Sequence, residues 1–573
     1  MSETATPCGG FVRLAIAACL AAAACPGQPP ETSAPAQIQP EISTREERAT
    51  FTSHVNLVMV PVVVRDKQGR TVEGLTKESF RLFDKGKLQE IERFAVERPG
   101  SIAGNTPSPE PAPAGEESAP APDRATLAAM PLRFIGYLFD DVHTGFADMV
   151  QVRQAAQRHM DTELKPTDRA AIFTTSGQDT VDFTDDLGKL QRALLRLMPR
   201  PIGHAVISEC PDISFYQADL IINQQDQQAT AVAVADVMVC DPGIAPAAAA
   251  LIAQNAARRA LSAGEQETQV SLAAIKEAVR RMSAVPGERV LVLVSPGFFT
   301  LAEHQQEEYG LIDSALRAKV VINALNPRGL YVPDGLGALR TKGTIEREAN
   351  MSNEALLMEY TADTGGYYFH NNNDSAAGFR RTAAAPELYY LLGFQPQNLR
   401  MDGSFHGLKV ALELKAGYTI EARRGYFAPT HLEDAAATAK REIEDAIYSR
   451  EEVSELPVQL HTQFFKGAAD SATVTVLAHV DLKGVKFRKE NDRNLDNITV
   501  VSALFDHNGN AVTGAVKHVD LRLRDESLQY RLAHGITVRM GLETKPGLYL
   551  VRVVVRDSEG SLMSAINGTV DIP

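Results

Sequence analysis

Between about residues 132 and 395, short apolar runs alternate with amphipathic stretches, and this alternation constrains the fold more than any other feature of the chain. "FIGYLF" reads as a buried strand, "FADMVQVRQAAQRHMDTEL" as a helix, and "RAAIFTT" and "DTVDFT" as further strands. "DDLGKLQRALLRLM" is a helix with acids in its first turn, where they complement the helix dipole. After a polar segment the pattern resumes with the helix "ETQVSLAAIKEAVRRMSAV", the strand "RVLVLVS", the helix "EEYGLIDSALRAK" and the strand "VVINALNP". A helix around "NEALLMEYTADTGG" and the strands "YYFH" and "LYYLLGFQP" complete it. Strands apolar on every residue must be covered on both faces, so the expectation is an α/β fold with a doubly wound, mainly parallel sheet. Binding sites in such sheets lie beyond the carboxyl ends of the strands.

The rest of the chain reads differently. At 573 residues it exceeds what one core organises, and about three domains is the expectation. Residues 52–98 carry a strand, a Lys-Gln-Gly turn and a hairpin around Asp84-Lys85-Gly86, which predicts a small β-rich domain preceded by Pro/Ser/Thr-rich chain. Residues 99–129 are Pro/Ala-rich with no apolar period and read as a linker. The α/β domain then occupies 130–402, with an insertion at 203–265, followed by a β extension at 403–429 and a helical connector at 430–455. From 456 to 573 short alternating strands predict an antiparallel β-sandwich of immunoglobulin or fibronectin type.

Partners and compartment are bounded by charge and cysteine. A formal charge of -14 without a local Lys/Arg-rich run excludes a nucleic-acid surface. The run Phe11 to Cys25 within residues 1–28 has the length of a signal-peptide core rather than of a membrane span, so no transmembrane helix is expected in the mature chain. Export to the periplasm, cell envelope or extracellular space follows from that reading. Ala22-Ala23-Ala24-Cys25 resembles a lipobox with alanine in place of leucine, leaving lipidation of Cys25 and ordinary cleavage as open alternatives. Outside the leader only Cys210 and Cys240 remain, and in an oxidising compartment they are expected to form one disulfide. No Cys/His partners stand at zinc-ligand spacing around them.

The element order, with Thr364, Gly365, Gly366 and Tyr367 after the last helix of the α/β region, resembles a von Willebrand factor A domain. Over about residues 55–430 the arrangement "VPVVVRDKQGRTVEGLTKESFRLFDKG", "LFDD", "CPDISFYQADLI" and "LYYLLGFQP…RRGYFAPT" looks like the VWFA-related proteins of Acidobacteria. The resemblance implies a metal-ion-dependent adhesion site, in which a hard cation such as Mg²⁺ is held by carboxylate and hydroxyl oxygens. Against its Asp-x-Ser-x-Ser pattern this chain has Asp140, Asp141, Val142, His143 and Thr144, so one hydroxyl is missing. Ser295-Pro296-Gly297 stands where the second carboxylate is expected, and only Ser208 could replace the threonine of the third loop. The resemblance therefore implies a degenerate site with Asp140, Asp141 and Thr144 as metal ligands and with His143 and Ser295 on the binding face.

The alternative for the two aspartates is that they accept hydrogen bonds from loop and helix N–H groups at a strand-to-helix turn. Asp182, Asp185 and Asp186 read as a solvated helix start with Thr184 or Asp185 as the cap. No nucleophile elbow, metalloprotease helix or phosphate loop is present, and the chain is read as no enzyme. The expected function is an exported scaffold that binds a protein partner through the strand-end loops and the disulfide-closed segment. A cell-envelope spacer with no dedicated ligand is the alternative, and a hydrolase using Ser295 the third.

Overall fold

A computed structural model describes residues 41–48, 58–67, 70–97, 131–202, 210–330, 340–384, 388–396, 404–413, 417–428, 435–449, 452–467 and 470–573. Residues 1–28, read as a leader with Cys25, the stretch 99–129 read as a linker, and Ser208 lie outside the described residues. Within Glu41–Pro573 the chain forms one compact unit.

The strand that positions everything else is Arg133–Phe139, every residue of which after Arg133 is buried. Asp168–Thr174 pairs parallel on one side of it and Glu288–Val294 parallel on the other. Val320–Leu325 and Tyr368–Phe369 continue the sheet in parallel beyond Glu288–Val294. Side chains alternate across a strand, so Phe134 and Leu138 join one core with Leu272, Ile275 and Leu357. Ile135, Tyr137 and Phe139 join another with Met149, Leu190 and Phe379. The Thr364–Tyr367 turn docks on this sheet: Thr364 Oγ1 accepts from Ile322 N at 3.0 Å and Asn323 Oδ1 from Tyr367 N at 2.6 Å. A Cβ on Gly366 would stand 2.0 Å from the Ile322 carbonyl, so only glycine permits this approach.

The expected fold class is corrected by the strand pairing. The chain is β-rich, with five sheets among the described residues, four of them antiparallel throughout, and it is not organised as a doubly wound parallel α/β protein of von Willebrand type. Even the six-stranded sheet is mixed, because Val181–Thr184 returns antiparallel on Asp168–Thr174. Residues 175–180 form a short turn, whereas a parallel connection needs a crossover of a dozen residues or more. Nor are the β segments separate flanks. Val58–Arg65 pairs with Tyr389–Phe394 and Thr419–Ala422, and Phe80–Asp84 pairs with Phe405–Leu412. The two resulting four-stranded sheets enclose Val60, Val62, Leu82, Tyr390 and Phe394. Tyr389–Phe394, read locally as part of the α/β region, thus belongs to this β unit.

The C-terminal strands also depart from an immunoglobulin-like sandwich. A seven-stranded and a three-stranded antiparallel sheet share a core of Val474, Val476, Val500, Val551 and Val553. The larger sheet takes its edge strand, Ile42–Arg48, from the Pro/Ser/Thr-rich stretch before the small β-rich domain, in which no strand is expected. Its other face is covered by helix Ala435–Tyr448, through Ile443 and Ile447 against Val501, Phe505 and Val554. Arg552, 1% exposed, donates to the Ala446 carbonyl from Nε at 2.9 Å and Nη2 at 2.8 Å, holding that helix in place.

The polar segment 203–265 is mostly helical where described. Phe215–Ile222 and Gln227–Cys240 pack on the helix Pro246–Ser283, which extends the expected helix amino-terminally by about twenty residues. Cys210 and Cys240 come within disulfide distance, with Cα atoms 6.1 Å apart.

The amino ends of the central strands carry a charged row. Arg133 lies opposite Asp168 on one side and Glu288 on the other, and its guanidinium pairs with Asp168. Glu288 Oε1 is left buried without a partner. Burial pushes the Glu288 carboxyl up to about 7, with the charge of Asp168 adding to it and Arg133 opposing. A raised carboxyl contributes stability below its unfolded value and loses it as pH rises through the folded value. Glu288→Gln is therefore expected to melt like the parent at about pH 4 and above it at about pH 8; equal melting at both pH values would contradict the assignment.

The same ends rest on the C-terminal β unit. Arg169 donates to the His507 carbonyl from Nη2 at 2.8 Å and Nε at 3.0 Å, and Arg289 Nη2 donates to the Tyr448 carbonyl at 3.0 Å. Gly509, at φ +83°, lies so close that a Cβ would stand 2.2 Å from the Phe134 ring. Gly509→Ala is expected to destabilise by about 1–3 kcal/mol, read as a lower thermal midpoint.

Candidate functional site

The carboxyl ends of the three central strands converge because their registers are aligned. Asp140 N donates to Val294 O at 2.9 Å, Thr175 N to Phe139 O at 3.1 Å and Ser295 N to Leu325 O at 3.1 Å. The residues just past these bonds form the site.

Asp140 is 1% exposed, and its carboxylate is surrounded by donors from this chain. Ser295 Oγ donates to Oδ2 at 2.6 Å, His143 Nδ1 lies 2.9 Å from Oδ2 and 3.0 Å from Oδ1, and His143 N donates to Oδ1 at 3.1 Å. Burial alone would raise the Asp140 carboxyl, but the charge and hydrogen bond of His143 and the Ser295 hydroxyl together bring it below its ordinary value. For His143, burial acts to lower the pKa, and Asp140, with Glu267 beyond it, reverses the direction and raises it. The imidazole stacks on Phe298 at 5.4 Å and keeps 17% of its side-chain surface exposed.

Asp141 points elsewhere. Ser176 donates to it from N at 2.9 Å and Oγ at 2.6 Å, and Arg200 Nε lies 3.7 Å from Oδ2. Burial raises its carboxyl above the usual range, partly offset by the Ser176 bonds. Thr144 is buried, and its Oγ1 has no hydrogen-bond partner. Ser295 is fully buried and accepts from Gly297 N at 3.0 Å, which fixes a turn in which Gly297 adopts φ +86° against the Asn353 carbonyl.

The site thus brings together Asp140, His143 and Ser295, turns Asp141 to a separate hydrogen-bonded pair, and leaves Thr144 beside them. This donor set does not fit a hard cation, which needs several convergent oxygens with open lone pairs. Both Asp140 oxygens already accept hydrogen bonds, Asp141 is engaged by Ser176, and an imidazole stands against the carboxylate in the place of a counterion. Nor is the grouping a hydrolytic triad, since Ser295 donates to the aspartate and not to the histidine. Asp186, and neither Thr184 nor Asp185, caps helix Leu187–Arg196, accepting from Lys189 N at 3.0 Å. Thr184 Oγ1 instead accepts from Asp186 N at 3.1 Å.

Ser176, Glu267 and Phe298 were not found by motif. Ser176 had a usable signal, since it follows the carboxyl end of a parallel strand. Glu267 and Phe298 had none, because helix and loop meet the site only through tertiary packing.

No family model and no curated protein matches the chain. Among solved structures it is similar to an aerotolerance-related membrane protein from Bacteroides fragilis, at 13% identity over 44% of this chain and 96% of that one, with a TM-score of 0.22. A DUF4785 family protein from Legionella pneumophila matches at 12% identity over 33% of this chain and 42% of that one, with a TM-score of 0.12. Three N-terminal domains of the type V pili tip protein Mfa5 from Porphyromonas gingivalis match at 8% identity over 77% and 72% of the two chains, with a TM-score of 0.16. Likeness at this level decides neither fold nor function. Among the described residues no helix is long and apolar enough to cross a membrane.

The interaction of Asp140 with His143 can be measured by a double-mutant cycle. Asp140→Ala leaves a partly buried imidazole and the buried Ser295 hydroxyl without their acceptor and is expected to cost about 3 kcal/mol. In a His143→Phe background the same change is expected to cost about 1–2 kcal/mol less. Urea unfolding followed by circular dichroism reads both, and identical costs in the two backgrounds would show that the pair is uncoupled.

Proposed function

We propose that this chain is an exported binding protein that recognises a protein partner with the loops at the carboxyl ends of its central strands, without a metal ion. The observation that carries the reading is the combination of a self-satisfied polar centre with exposed apolar side chains on one loop and on two helices, Phe146–Glu163 and Arg340–Thr364. Phe146, two residues past Thr144, is 61% exposed, Leu330, five residues past Val320–Leu325, is 65% exposed, and Met351 is 71% exposed. Arg328 ties the Leu330 loop to the helix that carries Met351, donating to Asn350 Oδ1 at 2.9 Å, and its backbone N donates to the Asn326 carboxamide oxygen at 3.0 Å. Large apolar residues with an Arg between them are the composition of a protein-recognition patch, and loops on a rigid sheet are where such patches sit.

The resemblance of Asp140–Thr144 and of the Thr364–Tyr367 turn to VWFA-related proteins supports a binding role. Export rests on the leader-like run ending at Cys25 and on the Cys210–Cys240 pair, which belongs in an oxidising compartment. The buried Ser295 hydroxyl, committed to Asp140 and Gly297, favours binding over hydrolysis.

Site-specific photocrosslinking in the native envelope tests this. A benzophenone side chain at Phe146 and at Leu330 is expected to give the same discrete protein adduct, while one at Tyr530, 57% exposed in the C-terminal unit, gives none. No adduct at either loop position, or one equally strong at Tyr530, would overturn the reading.

A further inference from the structure

A second cluster, away from the strand-end aspartates, has ligand chemistry that the first lacks. Glu265 stands on helix Pro246–Ser283, and Glu303 and His304 stand on the helical turn Ala302–His304 that leads into helix Gln305–Arg317. One ligand atom from each lies within 4.8 Å of the other two. His304 Nε2 is 2.7 Å from Glu265 Oε1, and the second oxygen of Glu265 is buried without a partner. Glu265 and Glu303 line a cavity of about 950 Å³ with Asp219, Glu308 and Glu359, against one basic residue, Arg258. Glu308 is 4% exposed, and its Oε1 has no partner either. The unpartnered Glu265 oxygen, within the group itself, leaves a cost that a bound cation would remove, and Glu308 adds to the negative charge of the same cavity.

We propose that Glu265, Glu303 and His304 bind a divalent first-row transition ion of the Zn²⁺ class, with the remaining coordination positions open towards the cavity. One imidazole nitrogen with carboxylate oxygens is the donor set such ions favour, whereas Mg²⁺ and Ca²⁺ take oxygen alone. The ion inserts where the His304–Glu265 hydrogen bond now lies. It joins the long helix to the segment that runs from Ser295 past Phe298, which Thr268 Oγ1 already anchors by donating to Phe299 O at 2.8 Å. The inference does not depend on the strand-end reading, since none of its ligands touches Asp140.

Calorimetric titration of the full chain, after dialysis against chelator, decides it. One equivalent of Zn²⁺ is expected to bind in the micromolar range or tighter and to survive about a hundredfold excess of Mg²⁺. Glu265→Gln and His304→Gln are each expected to weaken it at least about tenfold, while Glu526→Gln, exposed on the C-terminal unit, leaves it unchanged. Glu303→Gln changes an exposed side chain, so it reports on the site even if a partly buried ligand variant folds poorly. Absence of binding at about 100 μM Zn²⁺, or affinity unchanged in Glu303→Gln and His304→Gln, would overturn the proposal.

Discussion

The structure depends on the complete burial of one strand, Phe134 to Phe139, between two parallel neighbours. Parallel pairing directs all three carboxyl ends to one side, and burial on both faces obliges helices to cover the sheet. The covering helices in turn place Glu267 against His143, and the loop after Val294 places Ser295 against Asp140. At the opposite ends, arginines from two of these strands, Arg169 and Arg289, reach carbonyls of the C-terminal unit and its helix. A change in this strand would therefore disturb the candidate site and the junction together.

Around Asp140 the chain resolves a buried charge with its own groups. A carboxylate at 1% exposure is costly unless hydrogen-bonded and paired. His143 supplies a ring nitrogen whose protonation the carboxylate favours, Ser295 a hydroxyl and the turn backbone its N–H groups. Val142 offers no hydroxyl, and His143, three residues from the aspartate it faces, supplies a ring nitrogen. Pro296 offers no carboxylate, and the serine before it donates to Asp140.

Much of the secondary structure was legible, because runs such as "FIGYLF" and "RVLVLV" state their burial in every residue. Pairing was not. Val58–Arg65 and Tyr389–Phe394 are each readable as strands, yet nothing within either run names the other as its partner more than 320 residues away. The direction of Val181–Thr184 was readable in principle from the short turn before it. The helices of segment 215–240 were hidden by a Gln-rich composition without a clear apolar stripe, since helix Gln227–Cys240 is Ala/Val-rich and buries only four side chains.

By itself the sequence determined which runs are buried strands, that Asp140, His143 and Ser295 stand at strand ends, and that Cys210 and Cys240 are the cysteines left to pair. These follow from local periodicity, chain order and composition. Tertiary structure alone decided that the flanking β segments merge into shared sheets, that the strand-end aspartates part company, and that Glu265 meets Glu303 and His304 beside an acidic cavity. Each of these needs groups distant along the chain to meet, and hydrogen-bond directions and burial are fixed only when they do.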